Sequence, residues 1–167
     1  MWMRPALKIW RELPSWLQLS VARLVRPRYR VAVAAILLDD SGRILLCRHL
    51  YRKAFPWGLP SGGLEYREQP EAGVLREVWE ETGLDVMVER MLLAESARED
   101  RHISLIYLCR IMGGSFKPNL ETSQTQFFGL DELPNLLPTE RALIERLRDT
   151  GTIPVPGKAA VPAERMA

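Results

Sequence analysis

The chain is poor in the residues that mark specialised classes. Among 167 residues there are only two cysteines and two histidines. Cys47 and Cys109 lie far apart, with none of the short spacings of a metal module. A disulfide scaffold is therefore excluded, and two reduced structural thiols are expected. Long hydrophobic runs are also missing. The longest, Val31 to Leu38, has eight residues, against the roughly 20 that span a bilayer. No apolar segment is followed by a small-residue cleavage site, so a cytoplasmic location is expected. With 11 Gly and 12 Pro, collagen is excluded, and 47% hydrophobic residues exclude a wholly disordered chain.

What is present fits one domain with a sizeable core. The net charge of +2 is unevenly spread. Residues 1–30 hold seven basic residues against Glu12 alone, and the remainder is mildly acidic. Residues 1–27 combine those basic residues with Trp2, Trp10 and Trp16, and read as a basic amphipathic leader of two short helices broken at Pro14. Three tryptophans in a short leader want a buried surface, so packing on the domain or across a homodimer is expected. Residues 28–151 form the expected domain. Residues 152–167, with Pro154, Pro156 and Pro162, read as a poorly packed Pro/Ala-rich tail.

Within the domain, Tyr29–Leu38 and Arg43–Cys47 read as strands joined by the turn Asp39-Asp40-Ser41-Gly42, and so as a hairpin. His49–Trp57 reads as a loop and Pro70–Thr82 as a helix. Val86–Ala97, Ile103–Arg110 and Gln126–Gly129 read as strands, and Asp131–Leu137 and Glu140–Thr150 as helices. This order is not a regular alternation, which favours a mixed sheet with helices on its faces over a doubly wound fold.

The segment Gly62 to Leu84 carries the chemistry. At about 100° per residue, with Glu77 at zero, Glu80 falls at about −60° and Glu81 at about +40°. Ala72, Leu75, Val78 and Trp79 fall on the other side. Three carboxylates on one arc repel one another, and Glu77 and Glu81 are an unfavourable i,i+4 pair. A hard divalent cation with oxygen ligands would resolve the conflict, and so would plain solvation of an acidic face. Before the helix, Pro60-Ser61-Gly62-Gly63 permits backbone conformations and close approaches closed to other residues. Pro70 and Glu71 suit a helix start and Gly83 a helix stop.

This segment resembles the Nudix box. Gly62, Glu68, Arg76, Glu77, Val78, Glu80, Glu81, Gly83 and Leu84 all stand at the constrained positions. At average residue usage, such a match has a chance probability on the order of 10⁻⁷. The resemblance implies an α/β (α+β) fold, an α/β/α sandwich around a mixed β-sheet, here with N-terminal helices added. It also implies hydrolysis of a phosphoanhydride bond in a nucleoside diphosphate linked to another group X, dependent on Mg²⁺ or Mn²⁺. By that resemblance Glu77, Glu80 and Glu81 are metal-binding carboxylates. Arg76 orients a box glutamate, Glu68 tethers the loop to the helix, and Gly62–Gly63 form the metal-facing turn. Family members take their general base from the box or from a distant loop, which points first to Glu77 and then to Glu121. Gln124 stands where many relatives carry another acid, and Arg67 where many carry glycine.

The substrate is less specified. Trp57, Phe127 and Phe128 could stack on a base, although core packing is the commoner fate of such rings. His49 and His102 read as structural. Arg48, Arg52 and Lys53 could meet phosphate. The resemblance favours a nucleotide sugar, an ADP-ribose type substrate or a nucleoside triphosphate, with 5′-triphosphorylated RNA ranked below them. The competing class is a non-catalytic nucleotide-sensing module of the same fold.

Overall fold

The computed structural model describes residues 11, 13–25, 28–97 and 101–153. Residues 1–10 and most of the Pro/Ala-rich tail, with the first expected leader helix, lie outside the described residues. The leader's second helix is present as α1 (Ser15–Val25), opening directly after Pro14. The strands are β1 (Arg30–Leu37), β2 (Ile44–His49), β3 (Trp57–Gly58), β4 (Ser61–Gly63), β5 (Leu84–Ala97), β6 (His102–Gly114) and β7 (Thr122–Phe128). Two further helices are α2 (Pro70–Thr82) and α3 (Pro138–Asp149).

The strands form two sheets. One runs β4-β1-β6-β5 and the other β3-β2-β7. In the first, β1 is parallel to β6 and antiparallel to β4, so the sheet is mixed. Alternation along β1 sends successive side chains to opposite faces. Val33, Ala35 and Leu37 join Val74 and Val78 of α2 in one apolar cluster. Ala34 and Ile36 join Leu143, Ile144 and Leu147 of α3 in the other. The α/β/α layering therefore follows from the two-residue period of β1. Both cysteines are buried and free.

Four expectations are corrected. β1 and β2 do not form a hairpin. They share one bridge, Leu38 to Ile44, and then diverge into different sheets. The reason is that both faces of β1 are buried, and its edges are taken by β4 and β6. The loop after β2 contains the short strands β3 and β4, which carry no readable periodicity. Asp131–Leu137 is not a helix. Pro134 interrupts it, and Leu136 instead bridges to Trp57 while Arg141 donates to the carbonyls of Leu133 and Pro134. Finally, the tail does not begin as loose chain at residue 152. Ile153 is 1% exposed and packs in the α3 cluster.

That anchoring is measurable. Ile153→Ala is expected to lower the free energy of unfolding by about 2–5 kcal/mol, the usual cost of deleting a buried isoleucine side chain. Urea denaturation of the two proteins checks it. A change within error would show that Ile153 is not part of the core.

Candidate active site

Helix α2 carries the acidic residues, and its ends are set by sequence. Pro70 occupies the first turn with Glu71. Gly83 closes the helix at φ 71°, and a Cβ there would run into the Ser115 carbonyl, so glycine alone fits this stop. The buried stripe is rotated from the expected one. Gly73, Val74, Val78, Glu81 and Thr82 are buried, whereas Trp79 is 61% exposed. On the wheel, Gly73 lies at about −40° and Val74, Val78 and Thr82 at about +60°, +100° and +140°, so Glu81 at about +40° falls inside the buried arc. This places one carboxylate of the cluster, 3% exposed, beneath the helix.

Arg76 organises the rest. Its Nε and Nη2 donate to the two oxygens of Glu68 at 2.8 and 2.9 Å. Its Nη1 donates to Glu77 at 2.8 Å and Glu80 at 3.2 Å, and Nη2 also reaches the Gly63 carbonyl at 3.0 Å. All five guanidinium N–H groups thus meet acceptors. Glu68 also accepts the Glu65 backbone N–H at 2.9 Å, and its carboxyl is held down to about 2, chiefly by the Arg76 hydrogen bonds. Arg67, just before it, has φ 66°. The left-handed conformation explains why glycine suits this position, and the Arg67 guanidinium lies over the Tyr66 ring rather than in the acidic cluster.

Glu77 is pressed against the Gly62 backbone, so closely that a Cβ on Gly62 would overlap its carboxyl group. Burial raises its pKa, as do Glu80 and Glu121 nearby, while Arg76 lowers it. Glu81 accepts the Ser61 N–H at 3.0 Å. Burial is the main cause that pushes its carboxyl up to about 8. Glu77, Glu80 and Glu81 line a cavity of about 250 Å³ with Asn119, Leu120 and Glu121. Glu121, distant in sequence, is therefore brought to the box carboxylates, whereas Gln124 is exposed on β7.

Sequence reading missed two residues here. The Asn119 side-chain amide donates to the carbonyls of Glu80 (2.7 Å) and Glu81 (3.2 Å), and its Oδ1 accepts the N–H groups of Glu121 and Thr122. It clamps the Glu121 loop onto the end of α2. His49, at the end of β2, is 2% exposed, with Nδ1 3.5 Å from Glu81 Oε1. By sequence His49 falls in the loop after Cys47, whereas β2 continues to it through a register shift after Arg48. Burial is the chief cause lowering its pKa to about 4, with Arg52 adding to the effect.

A second cavity, of about 500 Å³, adjoins this region through Ser61, Gly62 and Gly63. Its walls include Tyr51, Arg52, His102, Ser104, Thr139 and Glu140. Arg52 donates to both oxygens of Glu140. Trp57 and Phe127, expected as base-stacking candidates, line neither cavity. Trp57 packs edge-on against Phe128 with centroids 4.9 Å apart, and Phe127 packs on the α2-side core cluster.

The chain from 28 to 147 matches the family model described as NUDIX domain. The chain belongs to the Nudix family. It is a Nudix hydrolase, built as a mixed α+β fold. It is 34% identical over 107 residues to a MutT-like protein of Streptomyces ambofaciens, covering 64% of this chain and 68% of the relative. It is also 34% identical over 110 residues to an ADP-ribose pyrophosphatase of Methanocaldococcus jannaschii, covering 64% and 65%. A solved ADP-ribose pyrophosphatase from Streptococcus suis superposes with a TM-score of 0.62 at 30% identity, over 72% of this chain and 92% of that one.

Nudix hydrolases generally use a divalent metal, and the donors here suit one. They are hard carboxylate oxygens, packed close enough to raise one another's pKa. Among the described residues, no three acidic, histidine or cysteine side chains already converge as a closed metal cage, because Arg76 engages two of the carboxylates.

Two outcomes are expected. Gly62→Ala displaces the Glu77 carboxylate and lowers kcat by at least about 10-fold, on the scale of effects from disturbing a metal-site environment. Steady-state kinetics check it. For metal-free protein, Glu81, with its raised pKa, loses stabilisation as pH rises from its ordinary value of 4.5 to about 8. His49, with its lowered pKa, loses stabilisation as pH falls from 6.5 to about 4. The two oppose each other below pH 6.5, so between pH 6.5 and 8 thermal stability falls with rising pH. Melting curves in chelator across that window provide the test.

Proposed function

We propose that this Nudix hydrolase cleaves the phosphoanhydride bond of a small nucleoside diphosphate linked to X, with Mg²⁺ or Mn²⁺ held by Glu77, Glu80 and Glu81. One observation supports this above the others. Gly62 borders the Glu77 carboxylate on one side and lines the 500 Å³ cavity on the other. A diphosphate at that glycine turn would meet the acidic cluster while its nucleoside or X group entered the cavity.

A bound divalent ion supplies charge neutralisation between substrate phosphates and protein carboxylates, and lowers the pKa of attacking water. The chain's own residues do the rest. Arg76 orients Glu77 and Glu80. Ser61 holds one oxygen of Glu81. Asn119 fixes the backbone of Glu121 beside them. We assign the general base to Glu121 ahead of Glu77. Glu77 is engaged by Arg76, whereas no hydrogen bond holds the Glu121 carboxylate among the described residues. The Arg52–Glu140 pair, Tyr51 and His102 face the cavity and suit a polar ribose, sugar or base.

A nucleotide sugar, an ADP-ribose type substrate or a nucleoside triphosphate fits the cavity volume better than a polynucleotide. RNA ranks below them and stays in the reading through the basic leader and through similarity to the RNA pyrophosphohydrolase of Roseobacter denitrificans, 36% identical over 62 residues. A homodimer built with the leader, whose Trp16 is 67% exposed, and a cytoplasmic location belong to the same proposal. Among the described residues no helix is long and apolar enough to cross a membrane.

The deciding experiment measures product release from nucleoside triphosphates, ADP-ribose, nucleotide sugars, dinucleoside polyphosphates and 5′-triphosphorylated RNA, with and without Mg²⁺ or Mn²⁺. Metal-dependent cleavage is expected, lost in Glu80→Gln. Glu121→Gln should lower kcat by about 10²–10⁴-fold, the range for loss of a general base, with metal affinity retained. Binding without turnover on the whole panel would favour the nucleotide-sensing module instead.

A further inference from the structure

His49 presents a puzzle in packing terms. Its side chain is fully buried at the end of β2, and neither ring nitrogen has a hydrogen-bond partner among the described residues. A buried polar group without a partner destabilises the fold. An apolar residue of similar size would fill the same space without that cost. Across the β2–β7 ladder, His49 faces Thr122, whose buried hydroxyl also lacks a partner there. The Tyr51 ring lies against the imidazole, with centroids 5.4 Å apart. Among the described residues, Glu81 is the acidic side chain paired with Nδ1, at 3.5 Å.

Glu81 is otherwise half held. Its Oε2 accepts the Ser61 N–H, and its Oε1 is the oxygen turned to His49. A small rotation of the imidazole or carboxyl group would close 3.5 Å to a hydrogen bond.

We propose that His49 is a positioning residue that donates Nδ1–H to Glu81 Oε1 and so fixes that carboxylate for cation binding. This rests on the reading of Glu81 as a metal-binding residue. Ser61 and His49 then grip opposite oxygens of one carboxylate, from two strands that belong to different sheets. The arrangement locks the plane of the carboxyl group, which is what outer-shell partners of metal ligands do.

The chain has only two histidines, so its ¹⁵N-histidine NMR spectrum is simple to assign. In metal-free protein at pH 9, where the Glu81 carboxyl is ionised, His49 is expected as the neutral Nδ1–H tautomer, and a bare Nδ1 with Nε2–H would overturn the proposal. Mn²⁺ affinity, read by electron paramagnetic resonance without substrate, is the second measurement. His49→Leu should weaken Mn²⁺ binding by about 10–100-fold, the range for loss of such partners. His49→Asn, whose amide nitrogen stands as many bonds from the backbone as Nδ1, should restore most of it. His49→Gln, whose nitrogen mimics Nε2, should not. In a Glu81→Gln background, His49→Leu should cost nothing further. If Glu81→Gln weakens Mn²⁺ binding and His49→Leu does not, this proposal fails and the metal-site reading stands. Equal affinity of the Asn and Gln variants also overturns it. If Glu81→Gln binds Mn²⁺ like the wild type, the reading of Glu81 itself fails, and the role of His49 with it.

Discussion

One guanidinium group holds the acidic helix to the loop before it. Arg76 spends all five of its N–H groups on Glu68, Glu77, Glu80 and the Gly63 carbonyl. Without a central cation, the carboxylates of α2 would repel one another, and the glycine turn would keep only the Ser61 N–H bond to Glu81 as a tie to the helix. Lysine could not replace it, because a single ammonium offers three donors from one point, without the planar fork that spans three carboxylates and a carbonyl. The closeness of Gly62 to Glu77 is held by this anchor, since Arg76 bonds both Glu77 and the Gly63 carbonyl.

A second clamp works from the far side. Asn119 ties the end of α2 to the loop that carries Glu121. Asn119 works through backbone groups alone, whereas Arg76 and the Ser61 N–H hold the box carboxylates directly. Like charge is tolerated in the fold because one guanidinium and one backbone donor offset it, and the Glu121 carboxylate is left without a hydrogen bond among the described residues.

The local layers were legible in the sequence, and the tertiary ones were not. Pro70, Glu71 and Gly83 mark the ends of α2, because caps and stops are decided within a few residues. The acidic residues of the box are readable for the same reason. β3 and β4 were invisible, since two or three residues of Trp-Gly or Ser-Gly-Gly carry no period, and their pairing partners lie elsewhere in the chain. Asp131–Leu137 looks helical by composition, yet Pro134 and the bridge from Leu136 to Trp57 override that preference. The partnership of His49 with Glu81 and the bonds of Asn119 cross more than thirty residues of chain, beyond the reach of any local pattern. Trp57 and Phe127 erred in the ordinary direction, with rings that could stack on a base packed inside instead.

The two cavities are made from different parts of the molecule. Acidic residues come from α2 and the segment 119–121, whereas the larger cavity is walled by β1, β6, the start of α3 and the loop after β2. They have no lining residue in common, and Gly62, which lines the larger cavity, lies against the Glu77 carboxyl group of the smaller one. The walls of the two cavities can therefore change separately in inheritance. Substitutions at Thr139, Ser104 or His102 alter the larger cavity while leaving Glu77, Glu80, Glu81 and Glu121 untouched, so under the function proposed above one ancestral catalyst diversifies by changing its guests.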